Sequence, residues 1–245
     1  MSTDRISIIR NALTDFLVTQ HFEDDLIDNV SKQLCLLCDL LDAHNKNINL
    51  VSDSSFNEVL HRHILDSLAP LNFIDLKKND LIFDIGSGAG FPGIPLAILR
   101  NDISVVSIES ISKKASFQTL LSSSLNLSNF NVINDRAEIV SRTENRESAD
   151  KVTVRAVSSL STILEYAIPL LKVGGFALIY KGNNSDDELS NADDALLNLK
   201  CKITDIHKYR INPEMPMRTL VIARKTDLTP SKYPRRAGIP AKRPL

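Results

Sequence analysis

Residues 81–95 read Leu81-Ile82-Phe83-Asp84-Ile85-Gly86-Ser87-Gly88-Ala89-Gly90-Phe91-Pro92-Gly93-Ile94-Pro95. The chain has 8 glycines among its 245 residues, and this stretch holds half of them, Gly86, Gly88, Gly90 and Gly93. An apolar run that ends on an acidic residue predicts a strand. The glycines after it allow a sharp turn in which the main chain approaches a ligand. A helical pattern follows from Pro92, so the stretch predicts a strand, a ligand-binding loop and a helix.

Strand-like and helix-like segments alternate along the rest of the chain. The strand candidates are Leu81–Ile85, Ser104–Glu109, Phe130–Asn134, Lys151–Arg155, Gly175–Tyr180, Lys202–Tyr209 and Thr219–Arg224. Helices are predicted over Pro92–Arg100, Ser112–Leu125, Ser159–Leu171 and Ser185–Asn198. Strands separated by helices imply a parallel, doubly wound sheet, and two last strands with no helix between them imply an antiparallel edge hairpin. The predicted fold class is therefore α/β, with the seven-stranded, mostly parallel sheet associated with Rossmann-like class I methyltransferases.

The first third of the chain predicts helices. Apolar residues recur at three- and four-residue steps, at Leu26, Val30, Leu34, Leu37 and Leu41. A second helical pattern begins near Ser55 and stops at Pro70. We expect an N-terminal helical cap over residues 1–75, a ligand-binding domain over 76–226 and a basic, proline-rich C-terminal tail over 227–245, all within one compact domain.

Charge and cysteine content limit the function classes. The formal net charge is −1, so a nucleic-acid partner needs a local basic patch. Cys35 and Cys38 have the spacing of a metal knuckle, but no second Cys or His pair completes four ligands, which favours core packing and no metal. No segment is long and apolar enough to span a bilayer, and the N-terminus lacks a signal-peptide pattern. These features predict a cytoplasmic protein with no membrane partner.

The C-terminal tail differs in composition from the rest of the chain. Residues 229–245 contain no acidic residue and five cations, Lys232, Arg235, Arg236, Lys242 and Arg243. Such a proline-rich segment is expected to stay extended and to build no core. Its cations suit contacts with RNA phosphates, although a merely solubilising tail has the same composition.

Two classes of cofactor bind a glycine loop in this position, dinucleotides and S-adenosylmethionine. Residues 88–93 match the pattern G-x-G-x-x-G, but a lone match is weak and starts too far from the strand end. Pro92 also removes an amide that a pyrophosphate could use. Asp84, two residues before a G-x-G-x-G run, fits a ligand with a positively charged amino acid moiety. The loop therefore favours S-adenosylmethionine, with Asp84, Gly86 and Gly88 as cofactor-binding residues.

Acidic residues also follow the second and third predicted strands. Glu109 closes the second strand, where an ionised carboxylate can accept hydrogen bonds from both ribose hydroxyls of an adenosine. A solvated acid at a strand end is the alternative. Asp135-Arg136-Ala137-Glu138 follows the third strand, where an adenine ring would lie. A helix N-cap at Asp135 remains the other interpretation of that segment.

Several motifs together resemble one bacterial family. They are residues 84–95, Asp135-Arg136-Ala137-Glu138, Val154-Arg155-Ala156, Tyr180-Lys181-Gly182, Asn49-Leu50, the block Arg62-His63-Ile64-Leu65-Asp66-Ser67-Leu68, and the tail from Tyr233 to Leu245. In this order they resemble the RsmG family, formerly glucose-inhibited division protein B, from about residue 45 to the C-terminus.

The resemblance implies a methyltransferase that modifies N7 of a guanine in 16S ribosomal RNA with S-adenosylmethionine. It implies that Gly86 and Phe91 contact the cofactor, that Ala137 and Glu138 lie at the adenine, and that Arg155 is a functional residue at the end of the fourth strand. The implied partner is 16S ribosomal RNA or the small ribosomal subunit, and we expect a monomer. A small-molecule methyltransferase and a non-catalytic cofactor-binding module on the same fold remain alternatives.

The implied chemistry requires few catalytic side chains. Guanine N7 carries a free lone pair at neutral pH, so no base has to remove a proton, and the enzyme works by alignment. Arg155 is the positioning candidate, because a guanidinium can bind the cofactor carboxylate or an RNA phosphate in a forked geometry; a surface ion pair is the alternative. His63 and Asp66 share one helix face, and Lys181 is a candidate phosphate contact; each also has a purely structural interpretation.

Overall fold

The computed structural model describes residues 3–17, 23–155, 158–183 and 186–245. Its sheet contains seven strands, β1 (Leu81–Ile85), β2 (Ser104–Ile108), β3 (Phe130–Ile133), β4 (Ala149–Arg155), β5 (Leu171–Lys181), β6 (Cys201–Tyr209) and β7 (Arg218–Lys225). The strand order is β3-β2-β1-β4-β5-β7-β6. Pairing is parallel from β3 to β5, whereas β7 runs antiparallel to both of its neighbours. The seven predicted strands and the antiparallel edge hairpin are confirmed.

The helices flank this sheet. They are α1 (Thr3–Phe16), α2 (Asp24–Ile48), α3 (Phe56–Glu58), α4 (Asp66–Leu68), α5 (Gly93–Leu99), α6 (Ser112–Ser124), α7 (Ala137–Val140), α8 (Leu160–Ala167), α9 (Asp186–Ser190), α10 (Asp193–Leu199) and α11 (Ile239–Lys242). A π-helical stretch (Val59–Leu65) joins α3 to α4, and a 3₁₀ turn (Ala69–Asn72) follows α4; we call the whole the helical segment 56–72. The predicted helix 185–198 is divided into α9 and α10, and its first residue lies outside the described residues.

Strand alternation divides the apolar residues between two cores. Ile82 of β1 belongs to the core that also contains residues of α1, α2 and the helical segment 56–72, whereas Phe83 belongs to the core that contains residues of α8 and α10. Cys35 and Cys38 are buried in the first core with free thiols, which confirms their prediction as packing residues. Burial raises the pKa of Cys38 to about 12, so its thiol stays protonated and unreactive.

The C-terminal tail corrects one prediction from the sequence. It was expected to stay extended, but Tyr233 is buried in the second core, and a short helix, α11, follows it. Arg146 Nη2 donates a hydrogen bond to Thr229 O at 2.7 Å, and Arg146 Nη1 donates to Tyr233 O at 2.9 Å. The prediction was wrong because a proline-rich segment can be held by partners elsewhere in the chain, which its own composition does not reveal.

β1 lies at the point where the sheet changes its winding direction. It pairs with β2 on one side and β4 on the other, so that Ile85 is level with both Ile108 and Val154. The residues that follow these strands therefore meet at one edge of the sheet, where open α/β folds bind ligands. No helix in the described ranges is both long and apolar enough to cross a membrane.

Candidate active site

The glycine loop turns the chain sharply away from β1. Gly86, Gly88 and Gly90 have φ of 67°, 59° and 96°, in the left-handed region that residues with a Cβ rarely adopt. Gly86 N–H donates a hydrogen bond to Ile108 O at 2.8 Å, which ties the start of the loop to β2. Phe91 N–H donates to Ser87 O at 2.9 Å and closes the turn. The loop is therefore a fixed element with its main chain close to the sheet edge.

Asp84 organises this loop from beneath. Its carboxylate is fully buried and accepts hydrogen bonds from Gly93 N–H at 2.8 Å, from Thr153 Oγ1 at 2.9 Å and from the Ser87 hydroxyl. Burial raises the pKa of Asp84 to about 6, against the opposing effect of these donors. Because its oxygens face the protein interior, we propose that Asp84 acts on a ligand through the loop and not by contact.

Two further side chains fix the loop from the side of β2 and α6. Glu109 Oε2 accepts a hydrogen bond from Gly88 N–H at 2.9 Å, and Glu109 Oε1 accepts one from Ile111 N–H at 2.8 Å. Gln118 Nε2 donates to Gly88 O at 2.8 Å. A carboxylate has acceptor sites beyond two hydrogen bonds, so Glu109 keeps capacity for a ligand hydroxyl. The sequence pattern missed Gln118, although a polar residue in the apolar stripe of α6 was a signal of a buried role.

A cavity of about 180 Å³ lies beyond the carboxyl ends of the first three strands, and we call it the β1–β3 cavity. It brings together residues from the glycine loop, the end of β2, α7 and α8: Ile85, Gly86, Ile108, Ser110, Asp135, Arg136, Ala137, Glu138 and Tyr166. The predicted residues Gly86, Ala137 and Glu138 thus share one cavity. Tyr166 was not predicted from the sequence, because α8 lies far from the loop along the chain.

Arg155 and Phe91 form a second cluster with the helical segment 56–72. Arg155 Nη1 lies 3.1 Å from Asp66 Oδ2, and Arg155 Nη2 lies 2.9 Å from His63 Nδ1. The Phe91 ring stacks on the His63 ring with centroids 5.0 Å apart, and Arg155 Cζ lies 5.5 Å from the Phe91 centroid. The common helix face predicted for His63 and Asp66 is therefore the surface that holds Arg155.

Asp66 holds this cluster together from a fully buried position. Besides Arg155, its carboxylate accepts a hydrogen bond from Tyr209 Oη at 2.8 Å and lies 3.3 Å from Arg218 Nε. Two cations and a phenol thus compensate one buried charge, as a buried carboxylate requires. Tyr209 and Arg218 come from the terminal hairpin, and the sequence motifs did not include them.

A second cavity, of about 260 Å³, opens at the ends of β4 and β5, and we call it the β4–β5 cavity. Its wall includes Asp66, Arg155, Tyr180, Lys181, Glu188 and Arg218. Lys181 Nζ donates hydrogen bonds to Ser158 O at 2.7 Å and to Glu188 Oε2 at 2.6 Å. Lys181, predicted as a phosphate contact, is thus already engaged within the protein.

The protonation state of His63 can be measured directly. Burial, followed by the nearby Arg155, Arg218 and Arg62, lowers the pKa of His63 to about 3. We expect its imidazole to stay neutral from pH 8 to pH 5 and its Nδ1 to accept the hydrogen bond from Arg155. Proton NMR should show no change in the chemical shift of the proton on His63 Cε1 over this pH range.

The lowered pKa of His63 makes the free energy of unfolding depend on pH. The folded pKa lies below the unfolded value of about 6.5, so the unfolded chain binds the extra proton. Stability from this source is complete above about pH 6.5 and is lost as the pH falls toward 3. His63→Asn should weaken this acid dependence, and the same substitution at His61 serves as the control. A His63 signal that titrates near pH 6.5 would contradict the buried, neutral assignment.

A Rossmann-like sheet with an antiparallel terminal hairpin, a glycine loop after β1 and two cavities at the carboxyl edge define a class I methyltransferase. A SAM dependent methyltransferase from Aquifex aeolicus has the same fold, with a TM-score of 0.57 at 15% identity over 74% of this chain and 98% of that one.

The chain matches the family described as rRNA small subunit methyltransferase G over residues 30–216. It is 37% identical to Ribosomal RNA small subunit methyltransferase G of Desulfitobacterium hafniense, over 94% of this chain and 95% of that protein. The protein of the same name from Roseiflexus castenholzii is 42% identical over 84% of this chain and 87% of its own length. The chain therefore belongs to the rRNA small subunit methyltransferase G family.

Proposed function

We propose that this protein transfers a methyl group from S-adenosylmethionine to N7 of a guanine in 16S ribosomal RNA. Membership of the family supports the reaction class and the RNA substrate. The cofactor assignment rests on the conformation of the glycine loop, whose main chain donates hydrogen bonds to the carboxylates of Asp84 and Glu109. We further propose that the protein acts as a monomer in the cytoplasm.

The residues at the β1–β3 cavity fit an adenosine better than a pyrophosphate. Gly86 leaves one wall without a Cβ, and Ala137 is small, so a flat ring system can approach the main chain. Glu109, which lies in the chain between the lining residues Ile108 and Ser110, offers acceptor capacity for ribose hydroxyls, and Glu138 adds a carboxylate to the cavity wall. Pro92, at the start of α5, has no N–H for a phosphate. We therefore propose Gly86, Gly88, Glu109, Ala137 and Glu138 as cofactor-binding residues. The sequence also predicted Asp84, Phe91 and Arg155 in this set, and we propose that these three support the loop and the acceptor side.

The β4–β5 cavity is the proposed acceptor site. Among the described residues, its wall contains three cations, Arg155, Lys181 and Arg218, and two carboxylates, Asp66 and Glu188, so one formal positive charge remains for an anionic polynucleotide. The glycine loop connects the two cavities, because Gly86 at its start lines the β1–β3 cavity and Phe91 near its end lies under Arg155. One rigid loop therefore lies between the proposed site of the methyl donor and the proposed site of the acceptor base.

The chemistry is an in-line displacement that needs alignment more than acid–base catalysis. S-adenosylmethionine supplies an electrophilic methyl group on a sulfonium, and the N7 lone pair of guanine forms the new bond as the carbon–sulfur electron pair returns to sulfur. Arg155 and Phe91 position the acceptor base. In a reaction accelerated by alignment, this positioning supplies the rate enhancement. His63, kept neutral, adds no charge to a base that becomes positive during the reaction.

Calorimetry with S-adenosylhomocysteine and with NAD tests the cofactor assignment. We expect S-adenosylhomocysteine to bind and NAD not to bind. Gly86→Val should abolish binding, because a β-branched residue is strained at a φ of 67° and its side chain would project beside the cavity. Gly174→Val, at a φ of 88° and outside the lining of both cavities, is the matched control. Unchanged affinity in Gly86→Val would remove the loop from the cofactor site.

The substrate is tested with small ribosomal subunits, naked 16S ribosomal RNA and a pool of small metabolites, each with labelled cofactor. We expect label in the RNA, and reverse transcription after chemical cleavage at N7-methylguanine should show a single stop. Label confined to the metabolite pool would favour a small-molecule methyltransferase.

A further inference from the structure

The C-terminal tail lies against the helices that build the β1–β3 cavity. Glu138 of α7 lines this cavity, and its Oε1 accepts a hydrogen bond from Gly238 N–H at 2.8 Å. Gly238 has a φ of 82°, and nothing lies within 4 Å of a Cβ added there. The left-handed turn at Gly238 therefore serves to direct its N–H toward Glu138, and the tail reaches a wall residue of the proposed cofactor site.

A buried ion pair anchors the tail beside the same cavity. Glu165 of α8 is fully buried, and its two carboxylate oxygens accept hydrogen bonds from Arg235 N–H at 2.7 Å, Nε at 2.9 and 3.0 Å, and Nη2 at 2.6 Å. A forked pair with a buried carboxylate is among the stronger polar contacts in proteins. The next residue, Tyr166, lines the cavity. Adjacent residues of α8 thus bind the tail and form the cavity wall.

Contacts on both sides of Arg235 keep the tail in one position. Tyr233 is 5% exposed and belongs to the second core. Thr162 Oγ1 of α8 donates a hydrogen bond to Pro240 O at 3.1 Å. These contacts join the tail to α8 at two points, Thr162 and Glu165. The tail is therefore joined to the helix that carries Tyr166 and, through Gly238, to Glu138 of α7.

We propose that the C-terminal tail is a clamp on the cofactor cavity, in which Arg235 and Gly238 position Tyr166 and Glu138 for the adenosine. This inference rests on the proposed function of the β1–β3 cavity. Because the tail binds the cavity wall, docking of the tail and binding of the cofactor are coupled. Coupling of this kind is reciprocal: if the tail strengthens cofactor binding, the cofactor strengthens docking of the tail by the same factor.

Hydrogen exchange on the unmodified full chain tests the coupling without any variant. Saturation with S-adenosylhomocysteine should slow exchange in the segment that contains the Arg235 and Gly238 amides by about tenfold, within the usual range for coupled sites. The edge strand β6, distant from the cavity, is the reference segment. If S-adenosylhomocysteine binds but tail exchange is unchanged, the clamp is refuted and the cofactor site stands. If it does not bind at all, the proposed function fails.

Substitutions at Arg235 give the second test. Arg235→Ala should raise the Kd for S-adenosylhomocysteine about tenfold, by the same coupling. Arg235→Lys should restore part of the affinity, because it keeps the charge near Glu165 but not the fork. Arg243→Ala, an exposed cation of the same tail, is the control and should stay within about twofold. Equal Kd values for Arg235→Ala and Arg243→Ala, in folded proteins of matched Tm, would overturn the proposal.

Discussion

Asp84→Ala is expected to abolish cofactor binding, with a loss of affinity of at least about 100-fold, and to lower the free energy of unfolding by about 3 kcal/mol. The substitution removes the common acceptor of Gly93 N–H, the Thr153 hydroxyl and the Ser87 hydroxyl, all inside the protein. Buried donors without an acceptor are costly, so the loop is expected to leave its conformation. Calorimetry with S-adenosylhomocysteine and chemical denaturation measure the two effects.

Two companion variants make this experiment specific. Asp84→Asn keeps one acceptor oxygen and the shape of the side chain, so its loss of affinity should be intermediate. Asp194→Ala removes an exposed carboxylate in α10 and should change neither quantity. Wild-type affinity in Asp84→Ala would show that the buried carboxylate does not hold the loop in its binding conformation.

Arg155→Ala is expected to lower kcat/KM for methylation of small ribosomal subunits by about 100-fold or more, because the site works by alignment. The guanidinium contacts His63 and Asp66 and lies over the ring of Phe91. Without this guanidinium, the contacts that join Phe91 of the loop to His63 and Asp66 through Arg155 are lost. The Kd for S-adenosylhomocysteine should change by less than about tenfold, since the β1–β3 cavity is formed by other residues.

Arg155→Lys distinguishes charge from geometry at this position. Lysine keeps the positive charge near Asp66 but cannot bind Asp66 and His63 together in a fork, so we expect most of the loss to remain. Single-turnover kinetics separate the methyl-transfer step from RNA binding. A kcat/KM within twofold of wild type in Arg155→Ala would show that Arg155 forms only a structural ion pair.

The order of the elements was predictable from local patterns. The strand candidates are short segments rich in β-branched or aromatic residues, and the Pro/Met-rich connection 212–217 excluded a helix before the last strand. α1 was not identified as a separate helix, and the pattern over 185–198 did not show the break between α9 and α10. Both differences concern helix boundaries, which depend on packing against the rest of the chain more than on local preference.

The candidate site was predictable where its residues lie in the glycine loop or directly follow a predicted strand. Gly86, Gly88 and Phe91 lie in the loop by sequence alone, and Glu109 follows from its place at the end of β2. Tyr166, Gln118 and Arg218 reach the site from segments far along the chain, so no spacing rule joins them to the loop. Asp84 was predicted as a cofactor-binding residue, but the sequence does not reveal whether a strand-end acid faces a ligand or the core.

The sequence by itself determined the strand that ends in a glycine-rich turn, the winding of the sheet and the presence of N-terminal helices, since these follow from local backbone freedom and apolar periodicity. Only the tertiary structure decided which charges are buried together. Asp66 with Arg155 and Glu165 with Arg235 are pairs separated by about one third of the chain. A buried charge needs a partner, because an isolated charge in a core is costly. Which residue becomes that partner depends on which elements the fold brings into contact.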